Sequence, residues 1–307
     1  MPARNDGREP QTTTDGREPE TTTDDRPYLF VHSYPPPVLP AGSYPVDNGT
    51  RPVPPEVCWY LCSGIQPLTA FRPGEDLTVQ VTVGNWQGGN SETIAQLGLW
   101  WSPPVSGPLV PDADKFLGFT TVLVPPHGGQ AVSDPLTGRI PADAGDHVCL
   151  LAEVWHPLDP PGTTTADPVN DRHWAQHNLV VLPSGGAGTL PFLASNPLPD
   201  PAELLISAGP VPPVRWPGFR LDGDPQPVAA EARLIVLTGA DGRERARGEG
   251  ELSCALTLDG GERRPLEVTI EPAGAVAPGT FAPFEVVQYR LGEEVPAGGI
   301  GIAFTGG

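Results

Sequence analysis

Between residues 77 and 83 apolar and polar side chains alternate without a break: Leu77, Val79, Val81 and Val83 on one side, Thr78, Gln80 and Thr82 on the other. A period of two puts each set on one face of a pleated strand, so the segment predicts a half-buried β-strand. Similar apolar runs at 94–101, 117–124, 147–155 and 174–182 predict four more, separated by turn clusters such as NWQGGN at 85–90. A second series follows at 232–237, 250–258, 266–270, 284–291 and 299–304, with DG, DGG and PGT in the loops. No stretch carries a clear 3.6-residue apolar stripe. Short turns near 201–207 and 57–63 are the best helical candidates.

These runs divide the chain. Residues 65–183 predict one β-sandwich and 191–307 a second, with the Gly185-Gly186-Ala187-Gly188 stretch inside a linker at 184–190. Residues 1–26 hold a repeat, DGREPQTTT then DGREPETTT, with almost no large apolar side chain. By itself that segment cannot offset its ordering entropy, so a flexible arm is expected. Residues 27–64 open with a short apolar strand, PYLFVHSY, and continue through proline runs that predict an extended path over a surface. The expected fold class is all-β: two tandem sandwiches behind an extended Pro/Thr-rich N-terminal arm.

Composition agrees with this. The chain has 307 residues, 42 proline and 37 glycine, together about a quarter of the total, which disfavours long helices. Thirty-seven acidic residues against 18 basic give a net charge of −19, and Lys115 is the only lysine. Such a surface repels phosphate backbones and anionic lipid, so nucleic acid is not an expected partner. No apolar run reaches about 18 residues, and no charged start leads into an apolar stretch at Met1, so neither a membrane span nor a secretory signal is read. Cys58, Cys62, Cys149 and Cys254 lack zinc-knuckle spacing; Cys58 and Cys62 could bridge, or one could pair with Cys149, but without a signal four reduced, mostly buried thiols are expected.

The segment Asp143-Ala144-Gly145-Asp146-His147-Val148-Cys149 resembles the D-x-G-x-Y-x-C pattern of immunoglobulin F strands, with His147 where that family has tyrosine. The strand at 77–83 stands where a B strand would be and has no cysteine, so the inter-sheet disulfide is missing and Cys149 would be a core thiol. More widely, FRPGEDLTVQVTVGNW, GDHVCLLAEVWHPLDP and NDRHWAQHNLVV are similar, in that order, to bacterial Ig-like domains of the CARDB kind over about residues 65–183. The resemblance implies a fold and an adhesive or scaffold use, not a reaction. In the C-terminal part FEVVQYRLGEEVPAGGIGIAF resembles a closing Ig-like hairpin, so both sandwiches are expected to be Ig-like, but no more specific family is recognised there.

Candidate chemistry is sparse. His173 and His177 share a strand face at i and i+4 and could hold a transition metal, with His156 and Asp159 nearby. The alternative is two edge histidines. Asp159, Asp167, Asn170 and Asp171 offer oxygen ligands suited to calcium, though without the EF-hand pattern. The alternative is a loop of Asx turns. Trp86, Trp100, Trp101, Trp155 and Trp174 lie on or beside strands. Adjacent Trp100 and Trp101 must face opposite sides, so one belongs to the core. Tyr28, Phe30, Trp59, Tyr60, Trp86 and Trp100 are the candidate partner-facing residues. No GxSxG, no phosphate-cradling glycine motif and no cysteine–histidine pair with supporting context is present.

The expectation is a non-enzymatic structural or interaction protein that docks on protein subunits of its own or a neighbouring kind, through its arm and its sandwich surfaces. It is expected to need no cofactor, calcium being the one candidate. What the resemblance implies is an accessory, decoration or fibre part of a large particle, including phage and phage-tail-like assemblies, made in the cytoplasm and then released or surface-associated. Two alternatives stand beside it: a carbohydrate- or calcium-binding adhesion module, and a metal-dependent hydrolase using His173 and His177.

Overall fold

The computed structural model describes residues 26–33, 47–86, 91–145, 147–183, 185–219, 221 and 223–306. The expected flexible arm, apart from Arg26, and the proline run at 34–46 lie outside the described residues. The regular structure of the described chain is almost all strand, with two short 3-10 turns at Ala113–Lys115 and Pro213–Gly218. No helix among the described residues is long and apolar enough to cross a membrane.

Nine strands make the N-terminal sandwich: β1 (Leu29–Val31), β2 (Ile65–Pro67), β3 (Asp76–Asn85), β4 (Thr93–Ser102), β5 (Phe116–Val124), β6 (Gly129–Val132), β7 (Leu136–Arg139), β8 (Cys149–Trp155) and β9 (Trp174–His177). β3 is the spine of one sheet, with β1 and β2 along one edge and β6 and β7 along the other. The facing sheet runs β5-β4-β8-β9. Separating β3 and β7 from β4, β8 and β9 is the division of strands of an immunoglobulin-like sandwich. Leu77, Val79, Val81 and Val83 point inward against Ala95, Leu97, Leu99, Trp101, Ala152 and Val154, so the period-two stripe has become the core. Trp101 is the buried member of its pair; Trp100 points out.

Ten strands make the second sandwich: β10 (Leu179–Pro183), β11 (Gly188–Ser195), β12 (Ala202–Pro210), β13 (Gln226–Pro227), β14 (Ala232–Gly239), β15 (Glu244–Gly248), β16 (Leu252–Leu258), β17 (Arg263–Pro272), β18 (Thr280–Arg290) and β19 (Pro296–Thr305). One sheet runs β11-β17-β14-β15. The other runs β10-β19-β18-β12-β16, with β13 also on β18. Residues 201–207, expected as a turn, lie almost wholly in β12. Outward Leu205 between inward Leu204 and Ile206 hid the alternation. Residues 57–63 form turns rather than a helix. The glycine stretch at 185–188 connects β10 to β11, two sheets of the same sandwich.

The passage between sandwiches therefore falls earlier. Residues 174–182, expected as one closing strand, fall in two: β9 pairs with β8, and after Asn178 the chain continues as β10, parallel to β19. Asn178 is fully buried. Its N–H donates to Tyr60 O (2.8 Å), its carbonyl accepts from Gly301 N–H (3.0 Å) and its Nδ2 donates to Val105 O (3.2 Å). Around it a third apolar cluster gathers Val53, Val57, Trp59, Tyr60 and Leu61 with Phe219, Phe281 and Val287. A further contact joins Val105 to Leu193 by an isolated parallel bridge. β19 has room for this because it is rich in glycine: a Cβ on Gly299 would lie 2.6 Å from Tyr60 Cδ1, and one on Gly298 2.7 Å from Ser106 O. The two sandwiches thus share a sealed seam rather than a tether.

Candidate functional site

The acidic loop at 156–173 is wired inward. Asp159 Oδ2 accepts from Leu29 N–H (2.7 Å), and the same carboxylate pairs with Arg172 and lies 3.4 Å from His173 Nε2. His156 and Asp159 form an isolated bridge. Asp171 accepts from Gly162 N–H, His173 N–H and His173 Nδ1 at 3.1, 3.0 and 2.8 Å. Asp167 caps its own turn through Asn170. Each carboxylate oxygen of Asp159, Asp167 and Asp171 already has an N–H donor, whereas calcium requires oxygens that converge. Among the described residues no group of three or more His, Cys, Asp or Glu side chains could hold a metal ion. What the loop does is fasten β1, whose outer edge also donates from Val31 N–H to Arg172 O (3.2 Å).

His173 and His177 do not work together. Burial opposes the charged form of His173, but Asp159 and Asp171 outweigh it and hold its pKa above the ordinary value. His177 donates from Nδ1 to Cys62 O (3.2 Å), and burial lowers its pKa. It lines a groove of about 890 Å³ beside the seam, with His32, His147, Leu61 and Phe71. His147 lies where the immunoglobulin pattern has tyrosine, but its bond runs from Nε2 to Asn178 Oδ1 (2.8 Å) at the passage between sandwiches. Burial pushes its pKa down to about 4, and His177 adds to this. Neutral imidazoles with no carboxylate among the described lining residues make a poor acid–base pair.

A polar cluster is sealed within the seam. Tyr60 Oη donates to Glu285 Oε2 (2.5 Å), and Arg215 Nη1 donates to both Glu285 oxygens at 2.9 Å. Arg215 Nε reaches Pro55 O (2.7 Å), and its guanidinium stands 5.0 Å from the Trp59 ring. Burial lifts Glu285 above the usual carboxylate range against the pull of Arg215 and Tyr60. It lifts the Cys58 thiol further from ionisation, which removes it as a nucleophile. The cluster pins residues 55–60 and 215 to β18. None of the four cysteines is bridged.

Of the six residues expected to face a partner, three are interior. Phe30 is 2% exposed because its ring lies on Gly84, where a Cβ would sit 2.4 Å from Cζ. Trp59 and Tyr60 belong to the seam core. These aromatics sit in a proline-rich segment that reads as surface, yet the segment is itself covered by the second sandwich. Tyr28 is half-buried under the Arg172 guanidinium at 3.9 Å, Trp86 is exposed, and Trp100 is half-buried on the outer face of the β5-β4-β8-β9 sheet.

That outer face is the most distinctive open surface. Its β9 half is covered: Leu151 and Trp174 pack under Val105, Leu109 and Ala166. The rest is open. Across it, Ile94 faces Leu123, Gln96 lies between Thr121 and Trp155, Gly98 between Phe119 and Glu153, and Trp100 between Phe116 and Leu151. Ile94, Leu123, Phe119 and Phe116 are 60%, 52%, 49% and 45% exposed. Trp155 sits 5.7 Å from Phe119, and Trp100 sits 5.0 Å from Phe116 and 5.7 Å from Trp174, with planes tilted by 46–58°. Glu153 and the two phenylalanines were missed from the sequence. The available signal was β5 itself: in FLGFTTVLV both faces carry large apolar side chains, more than a half-buried strand needs.

No protein-family model matches the chain, and no curated protein is similar to it in sequence. Among solved structures, the CupB6 tip adhesin from Pseudomonas aeruginosa aligns at 12% identity and TM-score 0.23, over 77% of this chain and 92% of that one. The C-terminal domain of the Streptococcus agalactiae AgI/II polypeptide BspA aligns at 8% identity and TM-score 0.22, over 78% and 96%. A Bacteroides uniformis beta-glucuronidase aligns at 11% identity and TM-score 0.25, over 91% of this chain and 32% of that one. Likeness of this degree bears on neither activity nor partner.

Proposed function

We propose that the chain is a non-enzymatic structural and interaction protein, an accessory, decoration or fibre part of a large particle such as a phage or phage-tail-like assembly. In this reading it docks through residues 1–26 and through its sandwich surfaces. The observation that carries it is the seam. Two sandwiches fused through Asn178, a buried apolar cluster and the Tyr60–Glu285–Arg215 cluster hold their outer surfaces in fixed relation, as a spacer or decoration must. The ionisable groups of the acidic loop and of the seam cluster are committed to holding strands together. A second reading, an adhesion module for carbohydrate, is favoured only by the aromatic outer face.

The test is purification of the tagged full chain from its source under native conditions, beside a variant lacking residues 1–25. The full chain is expected in a high-mass assembly. The shortened chain should melt at the same temperature but be depleted from that assembly. Recovery of the full chain as a free monomer overturns the reading, and normal incorporation of the shortened chain removes the arm from it.

A further inference from the structure

We propose that the open face formed by β5, β4 and β8 is a docking site for a partner protein's lysine or arginine side chain, received at Glu153. The inference rests on the interaction reading above and names the chemistry of the partner. Glu153 stands on β8 directly opposite Gly98 on β4 and Trp174 on β9. Directly opposite residues share a face, as do Glu153 and Trp155 two positions on. Gly98 leaves a gap that the Trp100 ring fills: a Cβ there would lie 2.5 Å from Trp100 Cη2. Phe119 faces Gly98 from the other side. On the open side the carboxylate thus neighbours the half-buried indoles of Trp100 and Trp155, with a phenyl ring beyond, while the covered Trp174 closes its β9 side.

Among the described residues no hydrogen bond or ion pair reaches Glu153, and it is half-buried. An acid in this position lacks a directly paired counter-ion. Burial pushes its pKa up to about 7, Asp171 adds to this, and His173 opposes it. Those two are the titratable groups facing it; its β4 neighbours Gln96, Gly98 and Trp100 carry none. Nearby cations within the chain are engaged elsewhere: His173 with Asp159 and Asp171, Arg172 with Asp159 and the Tyr28 ring, Lys115 with Asp112 and Asp114. A cation satisfies both features of the site, since it pairs with the carboxylate and is drawn to the ring faces. The tilt of the rings suits this better than a flat sugar, which needs coplanar rings. Exposed Ile94, Leu123, Phe119 and Phe116 form an apolar surround, as around a buried anchor in a protein interface. The −19 charge of the chain attracts basic partners over distance.

The test uses the full chain and a capped Gly-Arg-Gly peptide, with capped Gly-Gln-Gly as control, read by tryptophan fluorescence and indole N–H NMR shifts. Saturable shifts are expected with the arginine peptide alone. Glu153→Gln should weaken binding about tenfold without lowering the melting temperature. Gly98→Ala, which displaces the Trp100 ring, should weaken it as well. Native binding should strengthen from pH 6 to pH 8, whereas the Glu153→Gln variant should be flat. Absence of saturable shifts, equal affinity in Glu153→Gln, or saturation by a neutral glycan panel instead of the peptide overturns the proposal. If the peptide fails while the chain still co-purifies with an assembly, the site falls and the structural reading stands. If the peptide binds but the native chain is a free monomer, the converse holds.

Discussion

Arg215 and Glu285 face each other with side chains each about 12% exposed, so neither charge is well hydrated. Removing one partner leaves the other stranded, and for such a pair that loss is about 3–5 kcal/mol. Arg215→Met is expected to lower the urea-unfolding free energy by about that amount. Adding Glu285→Gln should recover part of it, because the two positions are coupled. His147 acts with pH. Its folded pKa of about 4 lies below the ordinary 6.5, so the neutral ring favours the folded state. That contribution is complete above pH 6.5 and drains away as pH falls from 6.5 toward 4, by at most about 3 kcal/mol. His173, shifted upward, works with opposite sign: its contribution is full below pH 6.5 and declines as pH rises beyond. Equilibrium unfolding between pH 4 and 7 should therefore show a slope that His147→Gln flattens. At this scale the sequence exposed the division of Trp100 from Trp101, because alternation along a strand is local. It could not expose Arg215 with Glu285, which are 70 residues apart in the chain.

Strands with a strict inward stripe were legible, and β3, β4 and β8 sit within two or three residues of their expected bounds. Three kinds were not. β6 and β7 are short, half-exposed pieces, GQAV and LTGR, with no stripe to read. β11 holds Pro191, which a sheet edge tolerates because no ladder donor is needed there. β9 and β10 form one apolar run in sequence, and only pairing partners divide them. In β19 the glycines that weaken strand propensity are what allow Tyr60 to lie against the sheet. Gly299→Ala would press on a tyrosine that is itself fixed to Glu285, and a drop of about 1–3 kcal/mol in stability is expected. Gly274→Ala, with no neighbour within 4 Å, is the control and should stay within about 0.5 kcal/mol.

The whole molecule was legible as two sandwiches and illegible as one body. A Gly-rich stretch suggested a tether at 184–190, while the real passage at Asn178 carries no glycine or proline. The seam core comes largely from residues 53–61, a segment whose prolines read as surface. Because that core is shared, scanning calorimetry of the full chain should give one transition with matching calorimetric and van't Hoff enthalpies. Two separable peaks would mean that the seam does not couple the halves.

One geometric detail reaches beyond equilibrium. β10 leaves the N-terminal sandwich at Leu179 and lies parallel to β19, in register from Leu179↔Gly301 to Pro183↔Thr305. Pulling residue 178 and residue 305 in opposite directions therefore drags the two strands lengthwise past each other. Their rungs would share the load and yield together, whereas a hairpin pulled at its open end gives way one rung at a time. A chain built this way resists being stretched along its long connection more than its stability in solution would suggest.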